Sequence, residues 1–300
     1  MKRILAVLLA AFLLVGCQQQ TPKAQQTIFA MDTVMNLTIY GADCEKAATQ
    51  LQAMIQNLEE NWSVTRTDSY LYKGTPEDPL LEQVLAMKAR TGGLYDPQLQ
   101  AVCEAWGFYG QNYRVPTQEE IDTALTQKNW DLGGAMKGHC SDQAVAILDT
   151  MQVDYAILDL GGNIQTYRDK PDGTPWRIGI QNPEGGDPLG VLSVTGTTAV
   201  VTSGDYQRYF EQDGKWYHHI IDPRTGYPAN SGLRSVTVIS KSGLTGDCLS
   251  TALFVMGLEG GSEFWRNSDD FEAVFVTTDG KLYATEGAIL FDCEYEVICR

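Results

Sequence analysis

The sequence has little of what several common functional classes require. Its seven cysteines are scattered without a CxxC pair, so the spacing of a structural zinc site is absent. Acidic residues outnumber basic ones, and the formal net charge of -16 argues against a nucleic-acid partner, whose phosphates the chain would repel. The motifs GxxxxGK[ST] and GxSxG are also missing. An acidic protein that binds an anionic ligand therefore needs local compensation from a metal ion, a lysine or backbone N–H groups.

The N-terminus lacks an apolar run long enough to cross a bilayer. The run Ile4 to Val15 has 12 residues, whereas a spanning helix needs about 20. With the basic pair Lys2-Arg3 before it, the run is typical of a signal-peptide core. Leu14-Val15-Gly16-Cys17 resembles a bacterial lipobox, which predicts a signal peptide over 1–16 and a lipid-bearing Cys17 that opens a polar tether over 17–27. The expected location is extracytoplasmic, lipid-anchored to the bacterial cell membrane; an ordinary signal peptide with a chance cysteine is the alternative.

The remaining residues, 28–300, predict one domain of the α+β class. Apolar periodicity indicates several helices, and Thr117 with Glu120 forms a capping box before another. The helices are expected at Cys44 to Glu60, Leu80 to Arg90, Lys137 to Met151 and Asp247 to Gly257. Strands are expected at Thr33 to Tyr40, Tyr155 to Leu160, Trp176 to Ile180, Val191 to Val201, Val236 to Ser240 and Ala273 to Thr277. These elements do not alternate in a βαβ rhythm, which favours mixed or antiparallel sheets with helices in two intimate lobes and the ligand site between them.

Two Gly-Gly segments could approach a phosphate group. In the first, Asp131-Leu-Gly-Gly-Ala-Met-Lys137-Gly138, glycines and a lysine precede a predicted helix, and helix N-termini bind anions. In the second, Tyr155 to Asn163, a buried strand runs into a similar turn. Taken alone, each segment is as well explained by a structural turn.

Histidine is also scarce, and two of the three histidines lie together. Thr202 to Tyr206 is followed by His218-His219-Ile-Ile-Asp222-Pro223-Arg224-Thr225-Gly226. Because histidine titrates near neutral pH, His219 is a candidate for proton transfer. A Ser203/His219/Asp triad and a purely structural histidine beneath the Asp222-Pro223 turn remain alternatives.

The segment Thr245 to Thr251 predicts a metal site. Asp247 and Thr251 are four residues apart in a predicted helix, so their side chains share one face. A carboxylate and a hydroxyl at a helix start suit Mg²⁺, which prefers oxygen ligands and retains waters for substrate phosphates. The alternative is that Asp247 only caps the helix.

Together, and in this order, these segments resemble the ApbE-type flavin transferase family, the FAD:protein FMN transferases. The resemblance runs from about Met31 to Gly287 and also includes Met31-Asp-Thr-Val-Met, Tyr95-Asp96-Pro97 and Trp106-Gly107-Phe108. The departures are Tyr70-Leu-Tyr-Lys-Gly in the serine-bearing loop, and Met136 and His139 around Lys137. These put the details of flavin contact in doubt.

The resemblance implies a role for each matching position. The residues that would line an FAD pocket are Met31, Ser69, Trp106, Gly107, Phe108, Asp131, Lys137 and Ile221. Asp247, Thr251 and the Gly134 carbonyl would bind Mg²⁺, and Ser250 would contribute to a second metal. His219 would handle protons.

The implied reaction moves FMN from the substrate FAD to a Ser or Thr hydroxyl of an acceptor protein and releases AMP. The expected partners are FAD, the membrane through the lipid anchor, and an acceptor that is a membrane redox-complex subunit or an extracytoplasmic flavoprotein. Two alternatives remain open: a FAD pyrophosphatase that gives FMN and AMP, and a flavin-binding lipoprotein without enzyme activity.

Overall fold

The computed structural model describes residues 21–73, 78–110 and 112–300. Seven helices lie within these residues. They are α1 Cys44–Trp62, α2 Tyr70–Lys73, α3 Pro79–Arg90, α4 Gln100–Ala105, α5 Gln118–Thr126, α6 Met136–Leu148 and α7 Gly243–Arg266. The capping box expected at Thr117 and Glu120 opens α5.

The strands form one large sheet, one small sheet and a separate hairpin. Their bounds are β1 Lys23–Ala30, β2 Thr33–Tyr40, β3 Tyr155–Asp159, β4 Asn163–Tyr167, β5 Trp176–Ile180, β6 Gly190–Val194, β7 Thr198–Gly204, β8 Tyr209–Gln212, β9 Lys215–His218, β10 Leu233–Ser240, β11 Phe271–Thr277, β12 Leu282–Thr285, β13 Leu290–Phe291 and β14 Glu296–Ile298. The nine-stranded sheet has the order β1-β2-β3-β4-β7-β10-β11-β12-β14 and is antiparallel except for the last pair. The small sheet has the order β13-β6-β5, and β8 pairs with β9.

The large sheet carries a different layer on each face. Helices α1, α6 and α7 pack on one face, where Leu37, Leu158 and Leu249 belong to the main apolar core. The small sheet covers part of the other face around Ile178 and Val274. A third apolar cluster joins α4 and α5 to the β8–β9 hairpin. This arrangement confirms the α+β class predicted from the sequence.

Two strands differ from the sequence-based expectations. The strand expected over Val191 to Val201 is two strands in different sheets, because Gly196 turns the chain with φ 65° between β6 and β7. Strand β1 begins at Lys23, inside the range 17–27 assigned to the tether, and pairs with β2 along its whole length. Residues 1–20, with the predicted signal peptide and Cys17, lie outside the described residues.

Helix α7 begins earlier than predicted. Ser242 is its N-cap and accepts from the N–H of Thr245, so Asp247 lies inside the helix rather than at its start. The expectation that Asp247 opens the helix is therefore wrong, and so is its alternative role as the cap. Gly257, the predicted helix end, is a kink with φ 76° inside the longer element.

Helices α6 and α7 approach closely at a pair of glycines. A Cβ placed on Gly138 would lie 2.2 Å from the carbonyl oxygen of Gly243, and one on Gly243 would lie 2.5 Å from that of Gly138. Such distances are sterically forbidden, so the two backbones can meet only where side chains are missing. This contact brings Asp247 on α7 against the first turn of α6.

Gly138→Ala should therefore destabilise the protein. We expect a loss of about 1–3 kcal/mol in the free energy of unfolding, since the added methyl group must push the helices apart. Gly260→Ala is the matched control, because its Cβ would meet only the Cβ of Met256 at 3.4 Å, an ordinary contact. In a helix, that substitution should stabilise by about 0.5–1 kcal/mol. Urea denaturation measures both; equal midpoints would contradict the packing described here.

Candidate active site

Three of the four predicted metal ligands meet beside the glycine contact. The Asp247 carboxylate accepts from the N–H of Gly138 at 2.8 Å. Thr251 lies one turn further along α7, and its hydroxyl is 3.4 Å from the Cβ position of Gly134. Asp247, Thr251 and Gly134 thus converge from α7 and from the loop before α6, as the resemblance implied.

The fourth predicted ligand, Ser250, is hydrogen-bonded within the protein. Its hydroxyl donates to the carbonyl of Asp247 at 2.9 Å and lies 2.8 Å from the Ser203 hydroxyl. Ser203 also lies 3.3 Å from the Thr251 hydroxyl. Three hydroxyls therefore line this side of Asp247, and Ser203 belongs to this group.

The surroundings of Asp247 suit a bound cation. Its side chain is 4% exposed, and burial raises the pKa of its carboxyl, although the charge of Lys137 opposes that shift. None of the ion pairs among the described residues includes Asp247. A buried carboxylate without a counter-ion is costly, and a metal ion would remove that cost.

The donor set also indicates which kind of metal would fit. Within the described residues, no group of three or more His, Cys, Asp or Glu side chains is placed to hold a metal. Asp247, Thr251, Ser250 and the Gly134 carbonyl provide only oxygen. A hard cation such as Mg²⁺, which completes its shell with water and substrate phosphate, matches such a set.

Lys137 lies in the first turn of α6, beside these groups. Its ammonium donates to the carbonyl of Gly161 at 2.9 Å. Gly161 has φ 75° and belongs to the second Gly-Gly turn, between β3 and β4. The two glycine segments found in the sequence therefore meet through Lys137, and its positive charge lies near Asp247.

His219 is held in one tautomer. Its Nδ1 lies 3.2 Å from the carbonyl of Arg208, and its backbone N–H donates to that same oxygen at 3.1 Å. Because a carbonyl only accepts, Nδ1 carries the proton and Nε2 is left as an acceptor. Burial, together with the guanidinium of Arg208, lowers the pKa of His219 to about 3. The imidazole is therefore neutral at physiological pH.

The neighbouring His218 has a structural role. It is buried, its Nε2 donates to the carbonyl of Ala229 at 3.0 Å, and its Nδ1 accepts from the N–H of Ile220 at 3.2 Å. Both ring nitrogens are thus satisfied within the protein. Burial lowers its pKa to about 4.

The alternatives to proton transfer by His219 are not formed. Ser203 contacts Ser250 and Thr251, whereas the bonded ring nitrogen of His219 faces Arg208. The Asp222 carboxylate bonds Arg224. The described part of the chain therefore contains neither a Ser203/His219/Asp triad nor a bond from His219 to the Asp222 turn.

Asp131 stabilises the first glycine segment from its start. One carboxylate oxygen accepts from the N–H of Gly133 at 2.8 Å, and the other accepts from the hydroxyl of Tyr109. The sequence reasoning missed Tyr109. Its position next to Trp106-Gly107-Phe108 was the only available signal.

The predicted pocket residues from α4 onward form an aromatic cluster. Trp106 is fully buried, and its Nε1 donates to the carbonyl of Gly226 at 2.8 Å. Phe108 and Ile221 belong to the same cluster. Gly107 has φ 74°, and its Cβ position lies 1.9 Å from the carbonyl of Asn112, so only glycine fits there. The structure thus brings Trp106, Phe108 and Ile221 together, beside the β8–β9 hairpin that leads to His219.

Met31 and Ser69 lie on separate segments. Met31 is at the β1–β2 turn with φ 52°, and its N–H donates to Glu59 at 2.9 Å. The next residue, Asp32, pairs with Arg208 at 3.3 Å, which links the turn to the segment that holds His219. Ser69 is buried at the start of α2, where its hydroxyl accepts from the N–H of Tyr72 at 3.4 Å. Its hydrogen bonds among the described residues are local to that loop.

The six cysteines that the structure describes are all free thiols. Cys293 and Cys299, whose pairing the sequence left open, are both unbonded. Among the described residues, none of the helices is long and apolar enough to cross a membrane.

Comparison with known proteins connects this geometry to one family. A model of the ApbE family matches residues 31–275. The FAD:protein FMN transferase of Klebsiella pneumoniae is 41% identical, over 89% of this chain and 95% of that protein. That of Treponema pallidum is 32% identical, over 70% and 68%.

Solved structures agree with the sequence comparison. The ApbE protein of Thermotoga maritima superposes with a TM-score of 0.79 at 29% identity, over 89% of this chain and 98% of that one. The flavin transferase ApbE of Vibrio cholerae gives 0.76 at 28% identity, over 89% and 98%.

Proposed function

Since this chain belongs to the ApbE family, we propose that it transfers the FMN half of FAD to a Ser or Thr hydroxyl of an acceptor protein and releases AMP. The observation that carries the proposal is the meeting of Asp247, Thr251 and Gly134 beside Lys137, at the contact of α6 and α7. The activity for which the relatives are named, FAD:protein FMN transferase, supplies the reaction.

The reaction breaks one P–O bond and forms another. The acceptor hydroxyl attacks the FMN phosphorus of FAD, the bond from that phosphorus to the bridging oxygen breaks, and AMP leaves with that oxygen. Bound Mg²⁺ would neutralise the diphosphate and stabilise the leaving phosphate. Asp247, Thr251 and the Gly134 carbonyl would hold the ion, with Ser250 close enough to assist.

Two side chains act on the substrates directly, and a cluster supports their pocket. Lys137, in the first turn of α6, places positive potential beside the diphosphate. Nε2 of the neutral His219 accepts the proton of the attacking hydroxyl. The buried cluster of Trp106, Phe108 and Ile221 would support the wall of the flavin or adenine pocket from within the fold.

The cellular location is part of the proposal. The apolar run at residues 4–15 and the lipobox-like sequence before Cys17 support a lipid anchor on the outer face of the membrane. Five residues separate Cys17 from β1, and extended chain covers roughly 3.5 Å per residue. Such an anchor would hold the domain close to the bilayer, next to acceptors that are membrane redox subunits or extracytoplasmic flavoproteins.

The assay is incubation of the purified protein with FAD and Mg²⁺, with and without co-expressed candidate acceptor domains. We expect mass spectrometry to find FMN on one Ser or Thr of an acceptor, with AMP released in equal amount, and EDTA to stop both. AMP formed at the same rate without any acceptor, and without an adduct, would show a FAD pyrophosphatase instead. Flavin binding with neither product would show a binding protein.

A further inference from the structure

A groove of about 430 Å³ lies on the face of the large sheet opposite the catalytic helices. On β2, Asn36 and Thr38 line the groove, whereas Leu37 between them is buried in the core beneath α1. On β3, Ile157 lines the groove and Leu158 faces the same core. Because successive residues of a strand point to opposite faces, the sheet itself separates this groove from the helices.

One wall of the groove is the open edge of β5. The five consecutive residues Arg177 to Gln181 all line it. Side chains on a strand alternate between its faces, so five in a row line a cavity only if the strand presents its edge. Strand β5 is the last strand of the small sheet, and among the described residues only β6 pairs with it.

The backbone groups at this edge have a defined direction. The carbonyl of Ile180 accepts from the N–H of Leu189, on the side of β6. Because backbone groups alternate in direction along a strand, the N–H and C=O groups of Arg177 and Gly179 point out of the open edge. The Arg177 side chain is turned toward β13, where it pairs with Asp292 at 2.8 Å. An extended segment in the groove could thus pair with β5 without displacing the Arg177 side chain, and Gly179 has no side chain to displace.

The groove ends beside the active site. Gly162 and Thr202 line it, and each is next in the chain to a residue of the site. The carbonyl of Gly161 holds Lys137, and the hydroxyl of Ser203 contacts Ser250 and Thr251. The turn at the groove end consists of Gly161 and Gly162, with φ 75° and 87°. Because both residues are glycines, no side chain projects from this turn.

The chemistry of the floor indicates what kind of segment fits. Its centre is apolar, with Ile157, Ile164 and Val200, and hydroxyl or amide side chains lie around it. Its two charged residues are both engaged within the protein, because Asp159 accepts from the N–H of Gly161 at 3.0 Å and Arg177 pairs with Asp292. A neutral, extended segment of small polar residues therefore suits the groove better than a charged one.

We propose that the groove binds the acceptor segment that carries the modified Ser or Thr, as an added strand paired with β5. This inference rests on the proposed function and names how its second substrate binds. Edge pairing supplies affinity through the main chain, and it would direct the hydroxyl past the Gly161-Gly162 turn toward Lys137.

Arg177→Pro tests the pairing, with Arg177→Ala as its matched control. Both lose the ion pair to Asp292, but only proline removes the outward N–H, a change that an edge strand tolerates. With the acceptor domain identified by the transfer assay, we expect Arg177→Pro to raise the KM for acceptor about five- to tenfold relative to Arg177→Ala. FAD affinity, measured by quenching of flavin fluorescence, should be the same in both.

A second measurement does not depend on a variant. The probe is a synthetic peptide around the modified residue, with that Ser or Thr replaced by Ala. It should slow hydrogen exchange at the amides of Arg177 and Gly179 in the wild-type protein. Equal KM values for the two variants, or protection elsewhere, would overturn the inference while leaving the transfer activity standing. Protection of β5 that rises with protein concentration alone would instead assign the groove to a second copy of the chain.

Discussion

Asp247→Asn should abolish metal-dependent transfer without unfolding the protein. Asparagine has the same shape and its amide oxygen can still accept from the N–H of Gly138, so the contact of α6 with α7 is retained. What it removes is the only carboxylate among the proposed ligands. We expect Mg²⁺ affinity to fall by more than about 100-fold, since even partners of metal ligands cost 10–100-fold when they are changed. Transfer should fall by at least about 10³-fold.

Stability distinguishes this result from simple misfolding. Without metal, the buried Asp247 charge has no ion-pair partner among the described residues, and burial raises the pKa of its carboxyl. Asp247→Asn should therefore unfold at the same or higher temperature than the metal-free wild type. Added Mg²⁺ should raise the melting temperature of the wild type only. If calorimetry shows equal Mg²⁺ binding in both proteins, Asp247 is not a ligand.

The sequence predicted the shared helix face of Asp247 and Thr251 better than it predicted the bounds of the helix that carries them. The four-residue spacing of Asp247 and Thr251 survives any error in the helix boundary, because both residues lie well inside α7. The boundary was wrong because the local N-cap, Ser242, was not recognised and because the start of α7 also depends on a distant residue. The Asp142 carboxylate of α6 accepts from the N–H groups of Gly243 and Leu244. Bonds that another helix adds to a locally capped start leave no local pattern in the sequence.

The other misses have the same long-range origin. Residues 191–201 contain an unbroken strand pattern, and only the assignment of β6 and β7 to different sheets makes Gly196 a turn. Ser203 was only a triad candidate until its contact with Ser250, 47 residues away, was known. The open edge of β5 is a property of sheet order, which periodicity along one strand does not report.

His219→Gln should reduce the rate of transfer while leaving FAD binding intact. The Nε2 of His219 is the only proposed acceptor for the hydroxyl proton, and a positioned general base contributes about 10²–10⁴-fold. We expect a fall of that size in kcat, measured by FMN attached to the acceptor, with little change in the KM for FAD. His218→Gln is the matched control, because both ring nitrogens of His218 are used within the fold. A full rate in His219→Gln would remove His219 from the mechanism.

The pH dependence should also reveal the environment of His219. Burial and the Arg208 guanidinium lower its pKa to about 3, so the wild-type rate should show no inflection near 6.5, where an exposed histidine titrates. The native state binds fewer protons than the unfolded state between these two values. The contribution of His219 to the free energy of unfolding is therefore complete above about pH 6.5 and is lost as the pH falls toward 3.

His219→Gln removes that titration, and His218, with a pKa of about 4, keeps its own share in both proteins. Measured by urea denaturation, the wild type should lose stability relative to His219→Gln as the pH is lowered from 7 to 4. Stability curves that stay parallel over this range would mean that folding leaves the proton affinity of His219 unchanged. The hypothesis that His219 is a neutral base in the native state would then be wrong.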